Sequence, residues 1–146
     1  MGGNVSFVKT LCRFCHAWNP LIPFWEKGIW WAPAFLKEYR IMSVICVPDQ
    51  KRFSAEKFQK VNLFDTERMF CDIYCFEPGQ VQKPHAHAEN DKIYYILEGK
   101  GSFSVGDEQT ECGPGIAVLC PPGVDHGVIN TGTERLVVLV YMAPHP

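Results

Sequence analysis

Two histidines stand two residues apart in Pro84-His85-Ala86-His87, and a third, His126, follows the turn Pro121-Pro122-Gly123. Side chains at i and i+2 of a strand share a face. His85 and His87 would therefore lie a few ångströms apart, close enough to serve one metal ion, and His126 could close the same site from a later strand. Neutral imidazole binds Fe, Mn, Ni, Cu and Zn alike, so residue type does not choose the metal. Read from these residues alone, a solvent-exposed histidine pair at a strand start is the plainer alternative.

The elements that would hold these side chains read as strands. Met69–Glu77 is rich in β-formers and ends at the turn pair Pro78-Gly79. Ile93–Leu97 is β-branched and aromatic and closes at Glu98-Gly99. Gly101–Val105 runs into Gly106-Asp107-Glu108, a hairpin turn. Ile116–Cys120, Val124–Asn130 and Leu136–Met142 complete the set, and a helical turn is expected within Phe53–Phe64. Short strands with turn signals at this spacing predict an all-β sandwich or barrel. No strand–helix alternation supports a parallel α/β sheet.

Residues 79–99 read GQVQKPHAHAENDKIYYILEG and residues 115–130 read GIAVLCPPGVDHGVIN. Together they resemble the two signature motifs of the cupin superfamily. Gly79, His85, His87 and Gly99 take their places in the first motif, and Gly115, Pro121, Gly123, His126 and Asn130 fill the second. The resemblance spans roughly residues 58–143. It implies a double-stranded β-helix, or jelly roll, often a homodimer, with a small-molecule pocket inside the barrel. It also implies one divalent metal held by His85, His87 and His126 with a glutamate of the first motif.

That glutamate is missing, because Lys92 occupies its position. The adjacent Asp91 would face the opposite way on a regular strand, and only a bulge would bring it in as a rescue ligand. Glu89, in the preceding loop, is a weaker candidate. An ammonium about 4.5 Å from a dication, at an effective dielectric of about 20, is repelled by roughly 7 kcal/mol. At about 1.4 kcal/mol per pKa unit, that is enough to strip its proton at neutral pH. So Lys92 is neutral, or it swings away to pair with a carboxylate, or the metal is absent. Swinging away is the expected outcome, because the stem is flexible and the head seeks water. Tyr94, two residues on, should share the face of Lys92, either lining the pocket or packing in the core. Phe76, Ile96 and Phe103 read as core.

The rest of the chain bounds the functional class. With 146 residues there is room for one domain with a real core. A net charge of −2 gives no reason to expect a nucleic acid or membrane surface as partner. No stretch is apolar enough to span a bilayer, and no secretory signal pattern opens the chain. The seven cysteines are odd in number and irregularly spaced, a poor disulfide framework. A cytoplasmic setting with free thiols is expected. Cys71 and Cys75 should share a strand face as core or pocket lining, and Cys120 reads as a small buried hydrophobe. Residues 1–50 differ in character. They hold all four tryptophans, carry five basic against three acidic residues, and are interrupted by Pro20, Pro23 and Pro33. Ala34–Val47 could form a short helix or strand, and Met42 is an alternative start. Cys12-Arg13-Phe14-Cys15-His16 fits a haem-attachment pattern by coincidence.

The expected organisation is therefore an N-terminal extension over 1–50 and a cupin barrel over 51–146. Two functions from different classes remain open. One is a three-histidine metal centre, serving a dioxygenase or isomerase acting on a small organic substrate. The other is a non-catalytic module, in which Lys92 and the histidines bind an anion without metal. A Schiff-base role for Lys92 is a remoter third.

Overall fold

The structure, a computed structural model, describes residues 42–146. The four tryptophans, the Cys12–His16 motif and most of Ala34–Val47 lie outside the described residues. Val47–Pro146 forms one compact unit. It opens with a single helical turn, α1 (Val47–Gln50), and then consists of strands. These are β1 (Gln59–Asp65), β2 (Phe70–Phe76), β3 (Val81–His85), β4 (Asp91–Glu98), β5 (Gly101–Val105), β6 (Glu108–Cys112), β7 (Ala117–Cys120), β8 (His126–Ile129) and β9 (Leu136–Ala143).

The strands form two antiparallel sheets, ordered β1-β2-β9-β4-β7 and β3-β8-β5-β6. This is the double-stranded β-helix. Tyr74, Phe76, Tyr94, Ile96, Phe103, Val128, Leu136, Val138 and Val140 fill the space between the sheets. Phe76 and Ile96 are fully buried and Phe103 nearly so. Each such side chain removed from water contributes about 1.5–3 kcal/mol.

Two features differ from the sequence expectation. Phe53–Phe64 holds no helix; its second half is β1, an edge strand. Lys60 and Asn62 are exposed along this edge, diluting the apolar alternation that marks a strand. The charged edge strand β6 and the Pro84-containing strand β3 escape a search for apolar runs for the same reason. Pro84 is accommodated at the irregularity between Gln82 and His85 in the β3–β8 ladder. Cys71 and Cys75 share a face of β2, as expected, opposite the inward-facing Phe70, Tyr74 and Phe76; Cys75 is fully buried core and Cys71 partly buried. Cys120 is fully buried in the interior cluster, as expected.

Gly99 is required by geometry. At φ 77°, it passes so close to the Arg135 carbonyl oxygen that any Cβ would overlap it. The outer face of the five-stranded sheet leaves Ile93, Tyr95, Leu119 and Tyr141 partly exposed. Among the described residues no helix is long and apolar enough to cross a membrane.

Candidate metal centre

His85 ends β3 and His126 opens β8, and the two are direct partners across the β3–β8 ladder, with ring centroids 4.6 Å apart. His87 comes in differently from the expectation. The strand stops at His85, so His87 is not carried by strand alternation. Its carbonyl instead accepts a 2.8 Å hydrogen bond from the Gly123 amide, which ties it to the Pro-Pro-Gly turn that leads into His126. The His87 ring lies 5.0 Å from that of His85 and 5.4 Å from that of His126. One ligating nitrogen from each of the three histidines falls within 4.8 Å of the others.

Two of the rings are oriented by the backbone. His85 Nδ1 lies 3.0 Å from the Lys83 carbonyl oxygen, and His126 Nδ1 lies 3.0 Å from that of Val124. A carbonyl only accepts, so each Nδ1 carries the proton and each Nε2 lone pair is free to face the pocket. Metal-binding histidines are characteristically held in this way. Burial is the main cause that lowers the pKa of His126, to about 4, and the neighbouring Lys92, His85 and His87 lower it further against the opposing Val124 hydrogen bond. His87 is lowered by burial and then by Lys92 and His85. Both rings are therefore neutral at pH 7, the state a metal requires. The donor set fits a divalent transition metal.

Lys92 does not swing away. It is 1 % exposed, and its Nζ lies 3.4 Å from both His85 Nε2 and His126 Nε2. The reason is register. Lys92, Tyr94 and Ile96 face inward on β4 while Asp91, Ile93 and Tyr95 face outward. The outward route to water is therefore closed to its stem. The Tyr74 and Tyr94 rings flank the ammonium position at 5.7 and 5.1 Å. Burial lowers the Lys92 pKa to about 8, helped by Lys60. Asp91 is not a rescue ligand, because it stays on the exposed face. The irregularity of β4 falls at Ile96–Glu98 instead. Glu89 is exposed as well.

Tyr94 is buried in the interior cluster, the core role of the two expected for it. Its ring packs at 5.7 Å from Phe103, and its hydroxyl donates a 2.9 Å hydrogen bond to Gln82 Oε1. Burial raises its pKa, so the phenol stays protonated. Gln82 was not singled out by the sequence. It is buried, and its Nε2 has no hydrogen-bond partner. Only its inward placement, set by β3 pairing, distinguishes it from a surface glutamine. A cleft of about 570 Å³ is lined by Phe103, Val105, Gln109, Val118 and Pro121. Glu108, Thr110 and Leu119 complete its lining, and neither the three histidines nor Lys92 takes part in it.

Comparison with known proteins agrees with this architecture. Residues 72–142 match the family described as Cupin domain. The crystal structure of TT1209 from Thermus thermophilus is 40 % identical and superposes with a TM-score of 0.70, covering 72 % of this chain and 100 % of that one. An uncharacterised protein of Streptomyces coelicolor is 31 % identical over 78 residues, 52 % of this chain and 71 % of its own. A glucose-6-phosphate isomerase of Thermococcus kodakarensis is 36 % identical over 75 residues, 42 % of this chain but only 40 % of the isomerase.

Proposed function

The chain belongs to the cupin superfamily, and from that premise we propose that its barrel holds one divalent metal ion on His85, His87 and His126 to act on a small, oxygen-bearing organic substrate. The observation that carries this reading is the convergence of the three imidazoles, two of them turned lone-pair-inward by backbone carbonyls. When bound, such a metal supplies Lewis acidity or a site for dioxygen. The protein's own part is to bind and orient. Gln82 Nε2, buried and unpartnered, is available to donate to a substrate oxygen, and Tyr94 fixes its amide from the other side. Isomerase chemistry is the better supported of the two reaction classes, through the local similarity to a glucose-6-phosphate isomerase. The deciding test is elemental analysis of protein purified without chelator or metal-affinity tag. About one equivalent of a transition metal per chain is expected. Essentially none, even after incubation with each divalent ion, would end the reading.

The second reading, a metal-free anion site, is favoured by one observation, the buried Lys92 head among the histidines. It predicts that metal-free protein binds small carboxylates or phosphate and that Lys92→Ala abolishes this binding.

A further inference from the structure

We infer that Lys92 is itself a metal ligand, its neutral amine serving as the fourth donor of a site made of three histidines and one lysine. The inference rests on the metal reading above and concerns what replaces the missing carboxylate.

Geometry is the first argument. Lys92 Nζ is 3.4 Å from His85 Nε2 and 3.4 Å from His126 Nε2. In a tetrahedral centre with metal–nitrogen bonds of about 2.0–2.1 Å, neighbouring donor atoms stand about 3.3–3.4 Å apart. An ammonium donating to an imidazole nitrogen would settle closer, at about 2.7–3.2 Å. The two equal separations match two edges of such a coordination polyhedron.

The second argument is the lack of a counter-ion. Among the described residues no carboxylate comes within ion-pairing distance of Lys92. An ammonium buried without a carboxylate partner is costly, whereas a buried amine with its lone pair on a metal is compensated. The third argument is enforcement. Inward register on β4, pairing of the Lys92 backbone with both Cys120 and Met142, and the flanking Tyr74 and Tyr94 rings hold the head at the histidines. On loading, the ammonium releases one proton to solvent, and the freed lone pair forms the nitrogen–metal bond. Nothing is oxidised or reduced.

The test uses the full chain, labelled with ¹⁵N at lysine side chains and loaded with ¹¹³Cd. A one-bond cadmium–nitrogen coupling on a single lysine Nζ resonance is expected. Cobalt(II) titration of the protein and of Lys92→Met should show a changed visible spectrum and an affinity lower by roughly tenfold or more in the variant. Absence of lysine coupling while histidine couplings are seen, or an unchanged affinity and spectrum in Lys92→Met, would overturn the inference and leave the three-histidine site standing. No metal uptake by the unsubstituted protein would remove both. Because the coupling is read on the unsubstituted chain, it decides the question even if Lys92→Met fails to fold.

Discussion

Lys92 Nζ and His126 Nε2 face each other at 3.4 Å, and each residue is only 1 % exposed. Two groups that are both cationic in acid have been placed in one desolvated pocket; burial lowers the pKa of both, and Lys92 lowers that of His126 further. Such an arrangement is expensive as a feature of stability alone. The surrounding geometry gives it a use: fixed imidazole tautomers, a trapped lysine and an unpartnered amide donor.

Removing the third imidazole tests the metal site directly. His126→Ala should reduce metal content from about one equivalent per chain to a trace, because it removes the one buried imidazole and leaves the two histidines at the pocket rim without the donor that closes the site. Inductively coupled plasma analysis of both proteins checks this. Full stoichiometric metal in the variant would count decisively against His126 as a ligand.

Stability of the metal-free protein should depend on Lys92 with a definite sign. Its folded pKa, about 8, lies below the unfolded value of 10.5. The unfolded chain therefore binds more protons between these limits, and stability rises with pH across that window. Below pH 8 the full penalty, on the order of 3 kcal/mol, weighs on the fold. Lys92→Met should accordingly stabilise metal-free protein at pH 7 by about 1–3 kcal/mol. The difference should shrink from pH 8 to pH 10.5 in urea denaturation. A variant less stable than the parent at pH 7 would contradict the placement of the ammonium.

Asn130 completes the second sequence motif but does not reach the histidines. Its side chain donates to the carbonyls of Glu134 at 2.9 Å and Phe76 at 3.4 Å and accepts from the Gly132 amide at 3.1 Å. Asn130→Ala should cost about 2–3 kcal/mol by leaving these buried groups unpaired. Metal content per folded chain should be unchanged. A loss of metal without loss of stability would place Asn130 in the site instead.

Gly99→Ala should be worse. The positive φ and the overlap of a Cβ with the Arg135 carbonyl act together. A loss of about 3 kcal/mol or more is expected in chemical denaturation. A variant as stable as the parent would show that the β4–β5 turn is free to move.

The expected homodimer has a surface to use. Ile93 is paired with Tyr141 on one side and Leu119 on the other, and all three are partly exposed on the outer sheet face. Light scattering should give twice the chain mass, and Tyr141→Lys should shift it toward monomer. A monomeric parent protein would leave this face without that role.

Much of this protein was legible from sequence. Turn residues and short apolar runs announced β2, β4, β5, β7, β8 and β9, because inward-facing side chains in a barrel must alternate with outward ones. His85, His87 and His126 were recognisable by type and spacing, and Phe76, Ile96 and Phe103 by their apolar context. The edge strands β1 and β6 were not, since half-solvated strands carry polar residues that hide the period. Tertiary structure alone decided the rest. Sequence spacing cannot say that His87 is held by Gly123 rather than by a strand, or that Gln82 is buried with an orphaned donor. Above all, the flexibility of a lysine stem predicted that Lys92 would reach for water. The β4 register, fixed by its pairing with β7 and β9, points it inward, and the packed sheets leave it no path out.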